Sequence, residues 1–446
     1  MVDSIREVEV RSKLFYAFVF AIPFLRLATS HIPIPLTTAF IAIFAVKLAL
    51  NMVQNNDEYL DGFRFVYLFL FIWIALAHSV NTIRFGFTFD EARLLAGRVS
   101  FAILVFMTYY VTRSFQDFSK VQRIVCFSVF LLSSLIIVFA VFHLDPFGVM
   151  TRHPRTYWGM SMPFNKTSAV PMSYGEFAII VVSALPALTY SLNKTVDILS
   201  RKFAALSMIV ILLAAFITQS RNTWLSLAVT FVSLFFLSQS KGHRSFLKVN
   251  AVLAGLAVIT LSAFLLHDVI SEFINGFVSS GVYRENVFNR LMSFRIGMEL
   301  FLNNSLLGVG NSNIEKFTSV LHKHNIEIVM HNAFIDQLAG TGLAGFIPFL
   351  LIFIAAFFQL LKISRSENAQ ISIYGRLLLS SFIGSMCALQ FYRGFFSEML
   401  AVDLGLVMSL WDRYRYDICS TQLITKVATK HHFGHPVQEF YHGEEI

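Results

Sequence analysis

The sequence predicts an all-α, polytopic integral membrane protein with about 12 transmembrane helices and one large outer loop between helices 9 and 10. Of its 446 residues, 56% are hydrophobic and only 14% are charged, whereas soluble domains average about 25% charged residues. Apolar runs of about 20 residues, long enough to cross a bilayer as a helix, recur along the chain. A transmembrane barrel would instead show short segments of alternating polarity.

The apolar runs form two groups on either side of one long polar interval. The predicted spans are Leu14–Leu27, Pro33–Met52, Phe65–Val80, Leu94–Val111, Val121–Phe142, Pro171–Tyr190, Phe203–Thr218, Thr223–Leu237, Val249–Leu266, Leu343–Leu361, Tyr374–Phe391 and Met399–Trp411. The chain therefore divides into a polar amino terminus (1–13), helices 1–9 (14–266), the large loop with amphipathic helices (267–342), helices 10–12 (343–412) and a polar tail (413–446).

The basic residues orient this bundle and limit its partners. The net charge of +8 follows from Lys and Arg in alternate loops, which places both termini in the cytoplasm and the polar interval outside. The basic residues are scattered singly, so a nucleic-acid partner is not expected. Three cysteines give no disulfide pattern. The histidines of the tail fit no compact metal site, and no metal or cofactor is expected.

The polar interval holds an amphipathic segment, Tyr283–Leu302. Its apolar residues recur at helical spacing and share one face: Val287, Leu291, Phe294, Met298 and Phe301. Arg290 and Arg295 flank that face, roughly 140° apart at about 100° per residue, so they cannot grip one phosphate from a straight helix. Two interpretations stay open: a packing helix with snorkelling arginines, or a helix at the headgroup level of the membrane.

Two further polar residues stand at the predicted outer edges of spans. Arg221 occupies a very short connection, where it could anchor to headgroups or bind a phosphorylated lipid through its fixed fork. His331 begins a segment that enters the membrane, with Gly342 and Gly345 on its face of a continuous helix. Its imidazole could be a satisfied interfacial group or a base acting near pH 7.

A further motif, Leu306–Asn311, lies between Arg221 and His331 in the sequence. It predicts a glycine-bearing turn that ends the amphipathic helix or approaches an anion.

Three stretches together resemble the O-antigen ligase and polymerase superfamily of bacterial envelopes. Ser220–Trp224 is similar to the family's Ser-Arg-x-x-Trp at the start of a span. Arg290–Gly310 is similar to its arginine, aromatic and Leu-Leu-Gly-Val-Gly stretch, and His331-Asn332 with Gly342 and Gly345 is similar to the histidine motif of the ligases. The resemblance is clearest from about Thr218 to Leu361, and the amino-terminal half agrees in topology alone.

The resemblance implies a metal-independent, inverting glycosyltransferase of the bacterial inner membrane whose active site faces the periplasm. Its donor would be a glycan on undecaprenyl diphosphate, and its acceptor a sugar hydroxyl of lipid A–core. Carried over to matching positions, His331 would be the catalytic base, and Arg221 and Arg290 would bind the diphosphate. Arg295 and Asn332 are further candidates for contacts with the substrate.

Two alternatives remain at this stage. An O-antigen or exopolysaccharide polymerase would share the scaffold and leaving group, but its acceptor would be a second lipid-linked glycan; the histidine spacing favours the ligase. A secondary transporter would fit the number of spans. Transporters, however, show paired halves and ionisable residues at mid-membrane, whereas the halves of this sequence differ and its charge collects at the outer edge.

Overall fold

The computed structural model describes a helical bundle. The described residues are 13–24, 62–85, 89–142, 156–157, 160–161, 174–193, 196–218, 220–237, 255, 282–314, 330, 332–392 and 397–433. Within them the helices are α1 (Lys13–Phe24), α2 (Gly62–Phe85), α3 (Phe89–Val111), α4 (Phe115–Val141), α5 (Tyr174–Leu192), α6 (Arg201–Thr218), α7 (Arg221–Leu237), α8 (Val282–Asn303), α9 (Ala333–Ile363), α10 (Ala369–Leu389) and α11 (Glu398–Phe433). A small antiparallel hairpin pairs β1 (Thr156–Tyr157) with β2 (Met160–Ser161).

Seven of the described helices are long and apolar enough to cross a membrane: α2 to α6, α9 and α10. They confirm the polytopic, helical class, and α1 and α7 are shorter apolar helices at predicted spans 1 and 8. Met399–Trp411 lies inside the longer helix α11. Pro33–Met52 and Val249–Leu266 lie outside the described residues, so the predicted total of about 12 spans stays a prediction.

Helices α5, α10 and the first part of α11 form the centre of the bundle. In α5, 94% of the apolar window is buried, against 72% in α10 and 39–44% in the other five long apolar helices. The outer helices leave large apolar side chains exposed, including Ile83, Ile209, Phe236 and Phe358. Such a surface suits lipid, because a buried side faces the bundle and an apolar side faces the acyl chains.

Side-chain caps begin several of the described helices, among them α4, α9 and α10. Ser114 starts α4 with a capping box, in which its hydroxyl accepts from Asp117 N and the Asp117 carboxylate accepts from Ser114 N. The Asn332 side chain caps α9, and the Asn368 side chain caps α10, each by accepting hydrogen bonds from two backbone N–H groups of the first turn. Each cap satisfies backbone N–H groups that have no partner within the helix.

Those basic residues that are predicted to be cytoplasmic and that the structure describes collect at one end of the bundle. The Arg413 guanidinium lies 4.8 Å from the centre of the Phe115 ring, and Lys362 Nζ lies 6.0 Å from that of Trp411. Arg123 Nε donates to Ile198 O at 2.8 Å, which ties the start of α4 to the α5–α6 connection. We call this the basic end; the starts of α5, α7 and α9 lie at the opposite end.

Helix α9 differs from the continuous helix that the sequence predicts. It begins at Ala333, ten residues before the predicted span, and its backbone leaves the helical conformation at Gly342, where φ is +58°. The prediction of a continuous helix through Gly342 and Gly345 is therefore wrong, because the break at Gly342 interrupts the helical register between the residues before it and those after it. His331, whose face the two glycines were predicted to share, lies outside the described residues. Pro348 also removes the donor for Ala344 O, and Trp73 Nε1 donates to that carbonyl instead at 2.9 Å.

Candidate functional site

The end of α10 joins the starts of three helices at the end opposite the basic end. Asn222, in the first turn of α7, donates from Nδ2 to Ala388 O at 3.2 Å. Asn332, the cap of α9, donates from Nδ2 to Gln390 Oε1 at 3.1 Å. Tyr392 donates its hydroxyl to Glu176 Oε2, in the first turn of α5, at 3.4 Å. We call residues 388–392 the α10 end segment.

The α10 end segment bonds to Asn222 and Asn332, each of which is next in sequence to a predicted site residue. Arg221 is the first residue of α7, next to Asn222, and its side chain lies outside the described part of the structure. His331 precedes Asn332 and itself lies outside the described residues. Since Asn222 and Asn332 bond to positions two residues apart on one segment, the backbone flanking Arg221 and His331 meets at the same end of the bundle.

Asn332, a candidate for substrate contact, has three hydrogen-bond partners within the protein. Its Oδ1 accepts from Phe334 N at 2.9 Å and from Ile335 N at 3.1 Å, and its amide nitrogen donates to Gln390. These bonds give it a structural role as cap and as link to α10. A contact with substrate remains a prediction for Asn332.

Helix α8 packs across the first turns of α9 through a closely approaching glycine. A Cβ on Gly297 would lie 2.3 Å from Ile335 Cγ2 and 3.2 Å from Met330 Sδ, so only glycine allows this approach. Arg290 lies on α8 about two turns before Gly297, and its side chain is not among those described. Helix α8 therefore passes beside Met330, the residue that precedes His331.

The packing face of α8 differs from the predicted apolar stripe. Ser293, Ile296 and Leu300 are buried against the bundle, whereas Phe294 is 51% exposed. Met298 and Phe301 are half-buried and Arg295 is exposed. The side chains of Val287 and Leu291 lie outside the description. The observed face carries glycine and serine because α9 comes close there. Of the described stripe residues, Phe294 points away from this face, whereas Met298 packs against the buried cluster that α8 forms with α9. Helix α8 therefore packs on α9, and its position relative to the membrane interface stays a prediction.

The glycine-bearing turn after α8 docks on the break in α9. Val309 N donates to Ala339 O at 3.0 Å and Gly310 N to Gly340 O at 2.8 Å. In return, Leu343 N donates to Ser305 O and Ala344 N to Leu306 O. The two backbones thus satisfy the polar groups freed at Gly342. Because the N–H groups of Val309 and Gly310 are engaged here, this turn closes α8 as a structural element.

Sequence reasoning missed Glu176, Gln390 and Tyr392. Glu176 is 2% exposed although it stands inside a predicted span, and a buried carboxylate in an apolar segment is a signal that could have found it. Gly175 allows the approach, since a Cβ there would lie 2.3 Å from Tyr392 Cβ. Gln390 is the second-last residue of the predicted span Tyr374–Phe391 and Tyr392 follows that span, and polar residues are common at the ends of spans, so neither gave such a signal.

The arrangement can support recognition of an anion beside a proton acceptor. Helices α7 and α9 both start at this end, so their N-termini direct the positive end of the helix dipole toward it. A guanidinium borne by the first residue of α7 and an imidazole borne two residues before α9 would add a cation and a base. The predicted site residues whose side chains the structure describes, Arg295 and Asn332, do not lie at the basic end of the bundle.

Comparison with known proteins supports the resemblance. Residues 206–350, about a third of the chain, match the family model described as O-antigen ligase. The matched range runs from α6 to α9 and includes all of the predicted site residues. No curated protein matches the chain.

Proposed function

On the premise that residues 206–350 match the O-antigen ligase family, we propose that this multi-pass membrane protein is an O-antigen ligase. It transfers a glycan from undecaprenyl diphosphate to a sugar hydroxyl of lipid A–core, with inversion and without a metal. It works in the bacterial inner membrane with its active site at the periplasmic face. The family match supports an enzyme of the ligase or polymerase type, and the donor and acceptor are our proposal.

One structural observation supports this proposal most strongly: the α10 end segment bonds both to the residue after Arg221 and to the residue after His331. Their backbones therefore stand at one end of the bundle, while the described basic residues of the predicted cytoplasmic loops stand at the other. A base and a diphosphate-binding cation must lie close together for a transfer from a lipid diphosphate.

In the proposed reaction His331 takes the proton from the acceptor hydroxyl as that oxygen attacks the anomeric carbon of the donor. The bond from that carbon to the diphosphate oxygen breaks, and the lipid diphosphate leaves with the electron pair. Arg221 and Arg290 stabilise the charge that develops on the leaving oxygen. Arg295 is exposed on α8 and offers a further cation for headgroup or substrate phosphate.

A polymerase would use the same base and the same leaving group, with a second lipid-linked glycan as acceptor. A deletion strain separates the two activities. If the protein is a ligase, its loss leaves long polymer on the carrier lipid and unmodified lipid A–core. If it is a polymerase, its loss leaves single repeat units attached to the core, and this result would overturn the ligase proposal. Restoration of the wild-type pattern by the plasmid-borne gene is the control.

A further inference from the structure

A buried polar network joins the amino-terminal helices to the turn after α8 and to the start of α9. We define it as His78 of α2, Glu91 and Arg98 of α3, Asn311 and Ser312 of the turn, and Asp336 and Gln337 of α9. Except for Ser312, each member is less than a tenth exposed. Buried charged side chains are costly unless they are paired and hydrogen-bonded, so the network needs a structural or functional reason.

Its first half fixes the turn to α3. His78 Nε2 lies 2.8 Å from Glu91 Oε2. The other carboxylate oxygen of Glu91 accepts from Ser312 N at 3.2 Å and from the Ser312 hydroxyl. Glu91 therefore holds the turn through both the backbone and the side chain of one residue.

Its second half connects α3 to α9 through the turn. Arg98 Nη2 donates to Asn311 Oδ1 and, at 3.3 Å, to Gln337 Oε1. The Asn311 amide in turn donates to Asp336, at 3.0 Å to its carbonyl and at 3.1 Å to Oδ2. The guanidinium of Arg98 also interacts electrostatically with the carboxylates of Asp336 and Glu91 and offsets part of their charge.

The location of this network links it to the candidate site. Asp336 lies five residues after His331, and α8, which carries Arg290, leads directly into the turn. His78, Glu91 and Arg98 lie before residue 206, outside the range that matches the family. Helices α2 and α3 therefore supply half of this network, which we call the clamp. The clamp holds the turn after α8 and the start of α9, next to the proposed site residues.

We propose that Arg98, Asn311 and Asp336 are positioning residues that hold α8 in a fixed place against the start of α9. The inference rests on the proposed function for the roles of Arg290 and His331. The clamp keeps the diphosphate-binding arginine of α8 in register with the base before α9, and it contributes no group to the reaction itself. Small displacements of reacting groups cost large factors in rate.

The test compares Arg98→Gln, Asp336→Asn and the double variant in the purified full-length protein. Asn311→Ser is a second probe, because it breaks bonds on both sides while it leaves every charge in place. Arg201→Gln, an exposed arginine at the basic end, is the matched control. The rate of amide hydrogen exchange in residues 304–313 measures how firmly the clamp holds the turn. Initial rates of transfer from a lipid-linked glycan give kcat and the KM of the donor.

We expect Arg98→Gln and Asn311→Ser to raise exchange in residues 304–313 at least about tenfold and to lower kcat at least about tenfold, with the donor KM within about threefold. The double variant should be less impaired than Arg98→Gln, since removal of Asp336's charge relieves the uncompensated carboxylate. The control should match the wild type.

Wild-type exchange in both Arg98→Gln and Asn311→Ser would overturn the clamp. Faster exchange with an unchanged kcat would overturn its link to the reaction. A wild-type protein that transfers no glycan would instead overturn the proposed function, and exchange would still decide whether the clamp holds the turn.

Discussion

Asn332 shows how a motif residue can organise the backbone of the candidate site through hydrogen bonds within the protein. Its oxygen caps α9 and its amide nitrogen reaches Gln390, so it fixes the backbone next to His331 from two directions. The chain holds a comparable residue at the opposite end, because Asn368 caps α10 by accepting from Gln370 N and Ile371 N. A comparison of variants at Asn332 and Asn368 therefore separates what a lost cap does to stability from what it does to the candidate site.

Replacement of either asparagine by alanine should lower the free energy of unfolding by about 1 kcal/mol, the usual cost of a lost helix cap. Thermal unfolding in detergent measures this loss. Only Asn332→Ala should also lower glycan transfer, because only that cap adjoins His331. Equal transfer by Asn332→Ala and Asn368→Ala would show that the cap of α9 has no bearing on the site.

At the residue scale the sequence predicted candidate residues and did not predict their contacts. The resemblance selected Arg221 and His331, whose chain neighbours Asn222 and Asn332 bond to the α10 end segment. It also selected Arg290, which lies on the helix that packs beside Met330 through Gly297. The contacts of Glu176 and Gln390 could not be predicted, because they join segments that meet only after the bundle folds. A hydrogen bond across 58 positions, such as that from Asn332 to Gln390, leaves no periodic pattern in the sequence.

Helix α9 owes its shape to two backbone irregularities, and each has a specific partner. The turn of residues 305–310 fills the break at Gly342, and Trp73 takes the carbonyl that Pro348 leaves without a donor. Backbone groups without partners are costly in a membrane, where water cannot replace the lost bond. These two contacts therefore allow a broken helix in an apolar environment.

A double-mutant cycle tests the pairing of Trp73 with Pro348. Trp73→Phe should cost about 1 kcal/mol of stability, because Ala344 O then loses its donor. In the Pro348→Ala background, residue 348 regains an N–H for that carbonyl, so Trp73→Phe should cost much less. Thermal unfolding of the four proteins measures the coupling, and equal costs in both backgrounds would contradict it.

Gly342→Ala should destabilise the protein by about 1–3 kcal/mol, because φ is positive there and the backbone is crowded. A Cβ at that position would lie 2.5 Å from backbone atoms of Leu306. Gly97→Ala is the control, since a Cβ there meets nothing within 4 Å. Thermal unfolding compares the two, and a neutral Gly342→Ala would contradict the close docking of the turn.

At the element scale hydrophobic length predicted the spans, and periodicity misjudged one face. Most described helices lie within a few residues of the predicted runs, because the bilayer fixes the length of an apolar helix. The predicted face of α8 was only partly right, because packing against α9 selected Ser293, Ile296 and Gly297. Phe294 of the predicted stripe is exposed, whereas Met298 still packs against the buried cluster. Close approach between helices favours small residues, which carry little hydrophobic signal.

The whole molecule has two chemically different ends, and the account depends on which end faces the periplasm. Cys419 is exposed on α11 beyond the basic end, and Asn303 is exposed at the end of α8. With the other cysteines replaced by alanine, a membrane-impermeant maleimide should label Asn303→Cys on intact spheroplasts. It should label Cys419 only after the membrane is permeabilised. The reverse pattern would put the site in the cytoplasm and contradict the proposed function.

The central claim is that His331 acts as base toward a lipid-linked donor bound by Arg221 and Arg290. The most direct measurement is the rate of glycan transfer to lipid A–core by purified wild-type protein and His331→Ala in a reconstituted membrane. The account predicts that His331→Ala folds, inserts and loses at least about 100-fold in rate, as expected for a lost general base. A variant that keeps more than about a tenth of the wild-type rate would contradict it.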